Sequence, residues 1–325
     1  MNTTSFSLDT ITAAGERLAP YLQPSPTRHY ALLDELVGFG IHVLVKHENH
    51  LPVNSFKVRN GLSALTALPF DVADRGVTAA STGNHGQGVA YAGKQLGIPV
   101  TIYVPAGNNP EKNASIRALG ATLVETGASY DECIVACTEH AVRHGLTLVH
   151  STNNADVISG AGTLTLELIE QFPEVSAMVV AIGGGSQAVG ALTVAQALKP
   201  SLRVFGVQSE EAPAQYEVWR TGEINSPIPS RTFAEGIATA NGYEMTYQSL
   251  KRGLADFVLV PDAAIAQAVR DLWRITHNLV EGAGAAGLAG LRTLAPQLEG
   301  QTVAIILSGG NLDTARAVRI LSGQL

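Results

Sequence analysis

A lysine stands where a strand-like segment gives way to a helix-like one. The stretch "PVNSFKVRNG" (52–61) places Lys57 after a run in which Ile41, Val43 and Val45 alternate with other residues. Burial lowers the pKa of an amine because desolvation disfavours the charged form, and a neutral amine is both a nucleophile and a base. The same stretch also fits a surface lysine whose stem lies along the protein at a helix start. Lys57 is therefore a catalytic candidate if other motifs give it a task.

Glycine-rich turns follow three strand-like runs, in "ASTGNHGQG" (80–88), "AIGGGSQAVG" (181–190) and "ILSGGN" (306–311). A helical pattern follows the first two turns, so backbone N–H groups at a helix N-terminus can face a carboxylate at the first and a phosphate at the second. Ordinary capped turns and a plain strand exit at Ser308 are the alternatives. A lysine beside a phosphate cradle has a task if it carries a cofactor aldehyde as a Schiff base.

The second turn has a competing interpretation. Gly183, Gly185 and Ala188 match the G-x-G-x-x-A pattern of dinucleotide-binding proteins, and Glu210 follows the next strand-like run. That pattern usually belongs to the first βα unit of its domain. A nicotinamide dehydrogenase, which has no use for Lys57, and a noncatalytic amino-acid-binding protein both remain open on these residues.

Composition limits the class of partner. The chain has 325 residues, of which 46% are hydrophobic and 15% charged, so it can bury a sizeable core in one large or two intermediate domains. The formal charge of -7 and the absence of a Lys/Arg run argue against nucleic acid and anionic lipid as partners. No apolar stretch reaches the roughly 18 residues of a membrane helix, and "MNTTSFSLDT" does not read as a signal peptide. We therefore expect a cytoplasmic protein that acts on a small molecule.

Strand-like apolar runs alternate with helical patterns, which is typical of an α/β protein with mostly parallel sheets covered by helices. The segment from 71 to 150 reads as a self-contained four-strand unit. We predict two lobes, a small domain at 69–152 and a large domain at 1–68 and 153–325, with the ligand in the cleft between them. The eight runs begin near 77, 100, 121, 147, 178, 203, 257 and 303.

Cys133 and Cys137 lie one helical turn apart, and His140 and His144 continue the same stripe. Two cysteines are too few for a disulfide framework. A metal site on this stripe is conceivable. The simpler interpretation is a helix whose thiols pack inside while its histidines reach the surface.

Six motifs in order and spacing carry a resemblance to a known family: "NSFKVRNG", "STGNHGQG", "IGGGSQAVG", "FAEGIAT", "VEGAGAAG" and "LSGGN". Together they resemble the threonine and serine dehydratases and serine racemases among the pyridoxal-phosphate enzymes of fold type II, the tryptophan-synthase-β group. The resemblance covers nearly the whole chain. It implies a two-lobed α/β fold with pyridoxal 5'-phosphate in the cleft, an amino acid as substrate and a homodimer.

The resemblance also assigns roles to residues. It implies that Lys57 carries the cofactor and removes the substrate Cα proton, and that Ser308 meets the pyridine nitrogen. The other implied cofactor contacts are Phe56, Asn84, Gly183, Gly184, Gly185, Ser186, Gln187 and Glu281. The implied carboxylate loop is Ser81, Thr82, Gly83, Asn84 and His85.

A neutral hydroxyl at the pyridine nitrogen, such as that of Ser308, favours β-elimination over transamination. The resemblance thus implies a dehydratase (ammonia-lyase) that converts a small 3-hydroxy amino acid, L-threonine or L-serine, to a 2-oxo acid and ammonia. Thr82 stands where the racemases carry a catalytic serine, so a serine racemase-like isomerase is the alternative. A dehydratase of 3-hydroxyaspartate is another, because Ser151, Thr152 and Ala161 depart from the threonine dehydratase pattern near the expected side-chain pocket.

Two further departures bear on ligands. Ser186 replaces the fourth glycine of the phosphate loop and can supply an extra donor. Family members that bind a divalent cation use carboxylates where this chain has Gln208, Ala212 and Ala214, so we predict no metal at that position. The chain ends soon after the "LSGGN" helix, from which we expect no C-terminal regulatory domain.

Overall fold

The structure, a computed structural model, describes residues 6–325. The first five residues of the predicted large domain, which also begin the segment used to exclude a signal peptide, lie outside that range. Ten strands form the two sheets: β1 (Thr27–His29), β2 (His42–Lys46), β3 (Val77–Ala80), β4 (Val100–Val104), β5 (Thr122–Glu125), β6 (Thr147–Leu148), β7 (Ala177–Ala181), β8 (Arg203–Ser209), β9 (Asp256–Val260) and β10 (Thr302–Ile306). The helices are α1 (Leu8–Leu18), α2 (Ala31–Val37), α3 (Lys57–Thr66), α4 (Phe70–Ala73), α5 (Asn84–Leu96), α6 (Pro110–Ala118), α7 (Tyr130–His144), α8 (Ala155–Gln171), α9 (Ser186–Leu198), α10 (Ala214–Thr221), α11 (Glu244–Gly253), α12 (Asp262–Thr276), α13 (Gly282–Leu294) and α14 (Thr314–Leu321). Short 3-10 turns occupy Glu48–His50, Pro52–Asn54, Glu235–Ile237 and Ala295–Gln297.

The strands form a six-stranded sheet in the order β1-β2-β10-β7-β8-β9 and a four-stranded sheet in the order β5-β4-β3-β6. All pairings are parallel except that of β1 with β2. The predicted α/β class and all eight predicted strand runs are confirmed. The four-stranded sheet lies within the 71–150 segment, whereas the domain boundaries at 68/69 and 152/153 stay a prediction.

Successive side chains along the strands of the six-stranded sheet pack alternately into two hydrophobic cores, one on each face of the sheet. Val43 and Val179 point into one core with helices α2, α12, α13 and α14. Leu44 and Met178 point into the other with α8, α9 and α11. Because both faces are covered, the strands are apolar throughout, as parallel strands usually are.

The site residues follow from the strand directions. The chain leaves the carboxyl end of β2 toward Lys57, that of β10 toward Ser308 and that of β7 toward Gly183. These three strands are neighbours and parallel, so their carboxyl ends lie at one edge, which is where α/β sheets bind ligands. The small sheet contributes the turn after β3.

Two glycines let helix α3 of the lysine touch helix α5 of the carboxylate loop. A Cβ on Gly61 would lie 2.3 Å from the carbonyl oxygen of Gly88, and a Cβ on Gly88 would lie 2.3 Å from that of Lys57. No side chain fits in this contact. The position of Lys57 is therefore set directly by a helix of the other sheet.

A buried ionic network anchors the other side of α3. Arg59 binds Glu48 (Nε to Oε2, 2.7 Å) and Glu167 (Nη1 to Oε1, 2.6 Å), and Lys46 Nζ lies 2.7 Å from Glu167 Oε2. Burial alone would raise the pKa of Glu167, but Arg59 and Lys46 outweigh it and hold the pKa below its usual range. Breaking one partner would leave a buried charge uncompensated, so the network fixes α3 against β2 and α8.

Among residues 6–325, none of the helices combines the length and the apolar character required to cross a bilayer.

Substituting Gly88 tests the helix contact. We expect Gly88→Ala to cost about 3 kcal/mol of unfolding free energy, because the added methyl meets the Lys57 carbonyl and the backbone must separate. Gly15→Ala is the matched control: its Cβ would lie 3.9 Å from Thr163, so the helix α1 should gain about 0.5–1 kcal/mol. Denaturant unfolding of both variants measures this. Equal stability of Gly88→Ala and wild type would show that the contact is loose.

Candidate active site

The amine of Lys57 lies at the first turn of α3 with few polar partners. Its Nζ donates to the carbonyl oxygen of Ser151 at 3.4 Å and lies 4.9 Å from the centre of the Phe56 ring. Burial lowers the pKa of Lys57 from 10.5 to about 8, while Glu281 pulls it upward. Near neutral pH an appreciable fraction of the amine is therefore uncharged and able to attack or take up a proton.

Helix α9 begins directly after the glycine turn, and no side chain caps its N-terminus. Gly185 has φ of 96°, a conformation that favours glycine. The first helical bond runs from Val189 N to Gly185 O, so the N–H groups of Ser186, Gln187 and Ala188 have no partner within the helix. The Nε2 of Gln187 is also buried without a hydrogen-bond partner. These donors fit an anion such as a phosphate.

The other two glycines of this turn are required by protein neighbours. A Cβ on Gly183 would lie 2.4 Å from the carbonyl oxygen of Gly236, and one on Gly184 would lie 1.8 Å from Thr152 Oγ1. Thr152 follows Ser151, which accepts the bond from Lys57. The segment 151–152 thus connects the lysine and the glycine turn in space.

Helix α5 also begins without a side-chain cap. The Gly83 N–H donates to Ser81 Oγ at 3.2 Å, so these two predicted carboxylate-loop residues bind each other. The first helical bond runs from Gln87 N to Gly83 O. The N–H groups of Asn84, His85 and Gly86 therefore have no partner within the helix. Thr82 lies in the loop with its carbonyl bound by Asn108 Nδ2 at 3.3 Å. The anion-binding capacity lies in the first turn of α5.

Asn84 connects three of the predicted motifs. Its Nδ2 donates to Glu281 Oε1 at 2.6 Å, and its Oδ1 accepts from Asn311 Nδ2 at 2.7 Å. An amide has two N–H hydrogens, so one remains for a ligand. Burial raises the pKa of Glu281. Ser308 is buried beside this group, and its carbonyl accepts the Phe56 N–H at 3.0 Å.

Burial lowers the pKa of two histidines near Lys57. His85 Nε2 bonds to the carbonyl oxygen of Val149 at 2.9 Å, and burial, reinforced by Lys57, lowers its pKa to about 3. His150 accepts from Thr152 N through Nδ1 at 3.0 Å, and burial and Lys57 also lower its pKa. The His85 side chain therefore anchors the loop to Val149 through Nε2, while its Nδ1 is buried without a hydrogen-bond partner.

An ionic group at the cleft was not found by sequence reasoning. Lys112 of α6 forms an ion pair with Glu235, which also binds Arg316 of α14 at 2.6 Å. A Cβ on Gly83 would lie 3.6 Å from Lys112 Nζ, which places the ammonium beside the carboxylate loop. Burial favours a raised pKa for Glu235, but Lys112 and Arg316 lower it overall. Arg316 also lies 3.7 Å from Asp313, so both cations of this group have a carboxylate partner.

The cysteine stripe behaves as packing. Cys133 and Cys137 are fully buried and free, and burial raises the pKa of both, that of Cys133 to about 11. His140 packs on Tyr103 and His144, with ring centres 5.6 and 4.5 Å away, so only His144 is exposed. The prediction of packed, unreactive thiols agrees with this geometry, while His140 is less exposed than expected.

Comparison with known proteins places this site in a family. The family model described as "Pyridoxal-phosphate dependent enzyme" matches residues 18–309. The L-threonine ammonia-lyase of Thermotoga maritima is 33% identical over 98% of this chain and 79% of its own length. The L-threo-3-hydroxyaspartate ammonia-lyase of a Pseudomonas species is 34% identical over 95% of this chain and 97% of its own. Maize serine racemase superimposes with a TM-score of 0.91 at 28% identity, covering 98% of both chains.

The nicotinamide dehydrogenase considered for the turn at Gly183 is therefore wrong. The chain belongs to the family of pyridoxal-phosphate-dependent enzymes, and pyridoxal 5'-phosphate is its cofactor.

Proposed function

We propose that this protein is an ammonia-lyase that removes water from a small 3-hydroxy amino acid, L-threonine or L-serine, and yields a 2-oxo acid and ammonia. The observation that carries the proposal is the Lys57 amine, with a pKa near 8, in a cleft that also holds two uncapped helix N-termini. The relatives named as ammonia-lyases support the same reaction class.

The residues at the cleft fit pyridoxal phosphate. The phosphate would accept from the first turn of α9 and from the orphaned Gln187 Nε2, the ring would lie by Phe56 and Asn84, and Ser308 would face the pyridine nitrogen. When bound, the cofactor withdraws electrons from the substrate Cα, which makes its proton removable.

The chain's own residues supply binding and proton transfer. The first turn of α5 binds the substrate carboxylate through backbone N–H groups, which orients Cα toward the lysine. Lys57 then accepts the Cα proton at Nζ, because its lowered pKa leaves a neutral fraction at neutral pH. Burial lowers the pKa of both His85 and His150, which disfavours their charged forms. Lys57 approaches from one side only, so we propose selectivity for L-amino acids.

A second substrate is favoured by the charge at the cleft. Glu235 binds both Lys112 and Arg316, and Arg316 also lies 3.7 Å from Asp313. The Lys112 ammonium lies beside Gly83, where it can meet a second carboxylate on the substrate. The relative named for L-threo-3-hydroxyaspartate supports this candidate.

We also propose an oligomeric state, a location and a domain division for this protein. We propose that the protein is a cytoplasmic homodimer. We propose that each chain has a small domain at 69–152 and a large domain formed by 1–68 and 153–325. The two sheets support the domain division.

Labelling tests the attachment site. Apoprotein treated with stoichiometric pyridoxal phosphate and cyanoborohydride should carry the label at Lys57, and the rate should rise with pH to half its maximum near pH 8, because only the neutral amine attacks. Peptide mapping measures both. Lys94→Gln, at an exposed lysine, is the control that should label normally. Label recovered chiefly at Lys46 or Lys112 would overturn the assignment.

Product release tests the activity. L-threonine and L-serine should give 2-oxobutanoate and pyruvate in a coupled assay, with the D-enantiomers much poorer. Lys57→Ala should lose at least about a thousandfold in rate. Lys112→Met should raise the KM for L-threo-3-hydroxyaspartate more than that for threonine. The control, Arg117→Met, removes an exposed pair with Glu125 and should leave both KM values unchanged. β-Replacement without any oxo acid would move the protein to the synthase branch.

Thr82 separates elimination from racemisation. Thr82→Ala should keep most oxo-acid release, because backbone N–H groups of α5 hold the carboxylate. Thr82→Ser should gain racemase activity, since its smaller side chain can approach Cα. Chiral chromatography of residual serine measures the second reaction. D-Serine formed by wild type and abolished in Thr82→Ala would make Thr82 a catalytic acid and the enzyme a racemase.

A further inference from the structure

Three side chains at the edge of the six-stranded sheet form a cluster outside the active site. His29 ends β1, Asp34 lies in α2 and His42 begins β2. His29 Nε2 lies 2.6 Å and His42 Nδ1 3.2 Å from the same oxygen, Asp34 Oδ2. The three candidate ligand atoms lie within 4.8 Å of one another. The local β1–α2–β2 sequence alone brings them together.

The carboxylate of Asp34 is oriented by the protein backbone. Its second oxygen, Oδ1, accepts the Val43 N–H at 2.8 Å, which turns Oδ2 toward both imidazoles. Leu33 precedes Asp34 and Val43 follows His42, and both side chains are fully buried in the core. The backbone that carries Asp34 and His42 is therefore held in place by the core. A fixed outer hydrogen bond of this kind is what orients a metal-binding carboxylate.

We propose that His29, Asp34 and His42 form a binding site for a divalent first-row transition ion such as Zn²⁺. Two imidazoles and a carboxylate are ligands that zinc uses, and they leave a fourth position for water. Metal–ligand bonds of about 2.0–2.1 Å in a tetrahedron place ligand atoms about 3.4 Å apart, so the His42 contact already fits and His29 moves outward by less than about 1 Å. Magnesium and calcium are disfavoured because they prefer oxygen ligands.

The imidazoles are free to take up an ion. The side chains of His29 and His42 are 44% and 67% exposed, whereas that of Asp34 is 21% exposed. The ion can enter from solvent, and the small adjustment of His29 needs no change in the core. The nitrogens that bond the carboxylate are those that would bind the metal.

The location of the His29–Asp34–His42 site favours a structural role for the metal ion. His42 begins β2, whereas Lys57 follows its carboxyl end, and the strand is about 13 Å long. The ion therefore lies at the opposite end of the strand from the catalytic amine. It would join β1, an antiparallel edge strand, to α2 and β2, and so stabilise the edge of the sheet.

Zinc titration of the holoenzyme tests the proposal. Calorimetry in a non-chelating buffer should give one tight site per chain and a melting temperature that rises until one equivalent is bound. Co²⁺ should give the visible absorption of a four-coordinate ion. His29→Gln and His42→Gln should each weaken zinc binding by at least about tenfold while keeping oxo-acid release.

His144→Gln is the control, because His140 and His144 form a rival histidine pair one helical turn apart, of which His144 is exposed. It should bind zinc like wild type. Wild-type affinity in both His29→Gln and His42→Gln, or loss of the tight site in His144→Gln, would overturn the proposal. Since both glutamine variants retain the neighbouring carboxylate and its Val43 bond, their melting temperatures without metal should match that of wild type, which distinguishes ligand loss from unfolding.

Discussion

The burial of the Lys57 amine without a close carboxylate is the constraint on which the site depends. Lys46 shows the alternative within the same chain: it is fully buried, but its Nζ lies 2.7 Å from Glu167 and 2.8 Å from the Ser25 carbonyl. Lys57 has one long bond to Ser151, and among residues 6–325 no carboxylate lies within 4.0 Å of its Nζ. An ion pair like that of Lys46 would hold the amine as a cation. Its absence at Lys57 keeps a neutral amine within reach at neutral pH.

The surrounding fold holds this unfavourable group in place. The network of Arg59, Glu48 and Glu167 fixes α3 on one side, and the glycine contact with Gly88 fixes it on the other. Both constraints act on the backbone within a few residues of Lys57, so its side chain needs no ionic partner to be positioned. The Gly88 contact also fixes the distance between the lysine and helix α5.

Local patterns predicted most of the fold and the site motifs. Apolar runs gave eight strands because parallel strands buried on both faces are almost continuously hydrophobic. The edge strand β1, "TRH", carries no such signal and was missed. The trio of Lys112, Glu235 and Arg316 was also missed, because its members come from segments far apart in the chain. Lys112 lies in α6, Glu235 in the 3-10 turn between β8 and β9, and Arg316 in α14, so only the tertiary fold brings them together.

In the glycine-rich motifs, several residues expected at the ligand bind other parts of the protein. Ser81 and Gly83 were expected to face the substrate, yet they bond each other, and Gly183 and Gly184 are required by Gly236 and Thr152. A glycine-rich turn must first satisfy its own chain. What remains for a ligand is then the set of donors that the helix geometry cannot satisfy, in the first turns of α5 and α9. These donors can bind an anion through backbone N–H groups, so the first turns of α5 and α9 need no further cationic side chain.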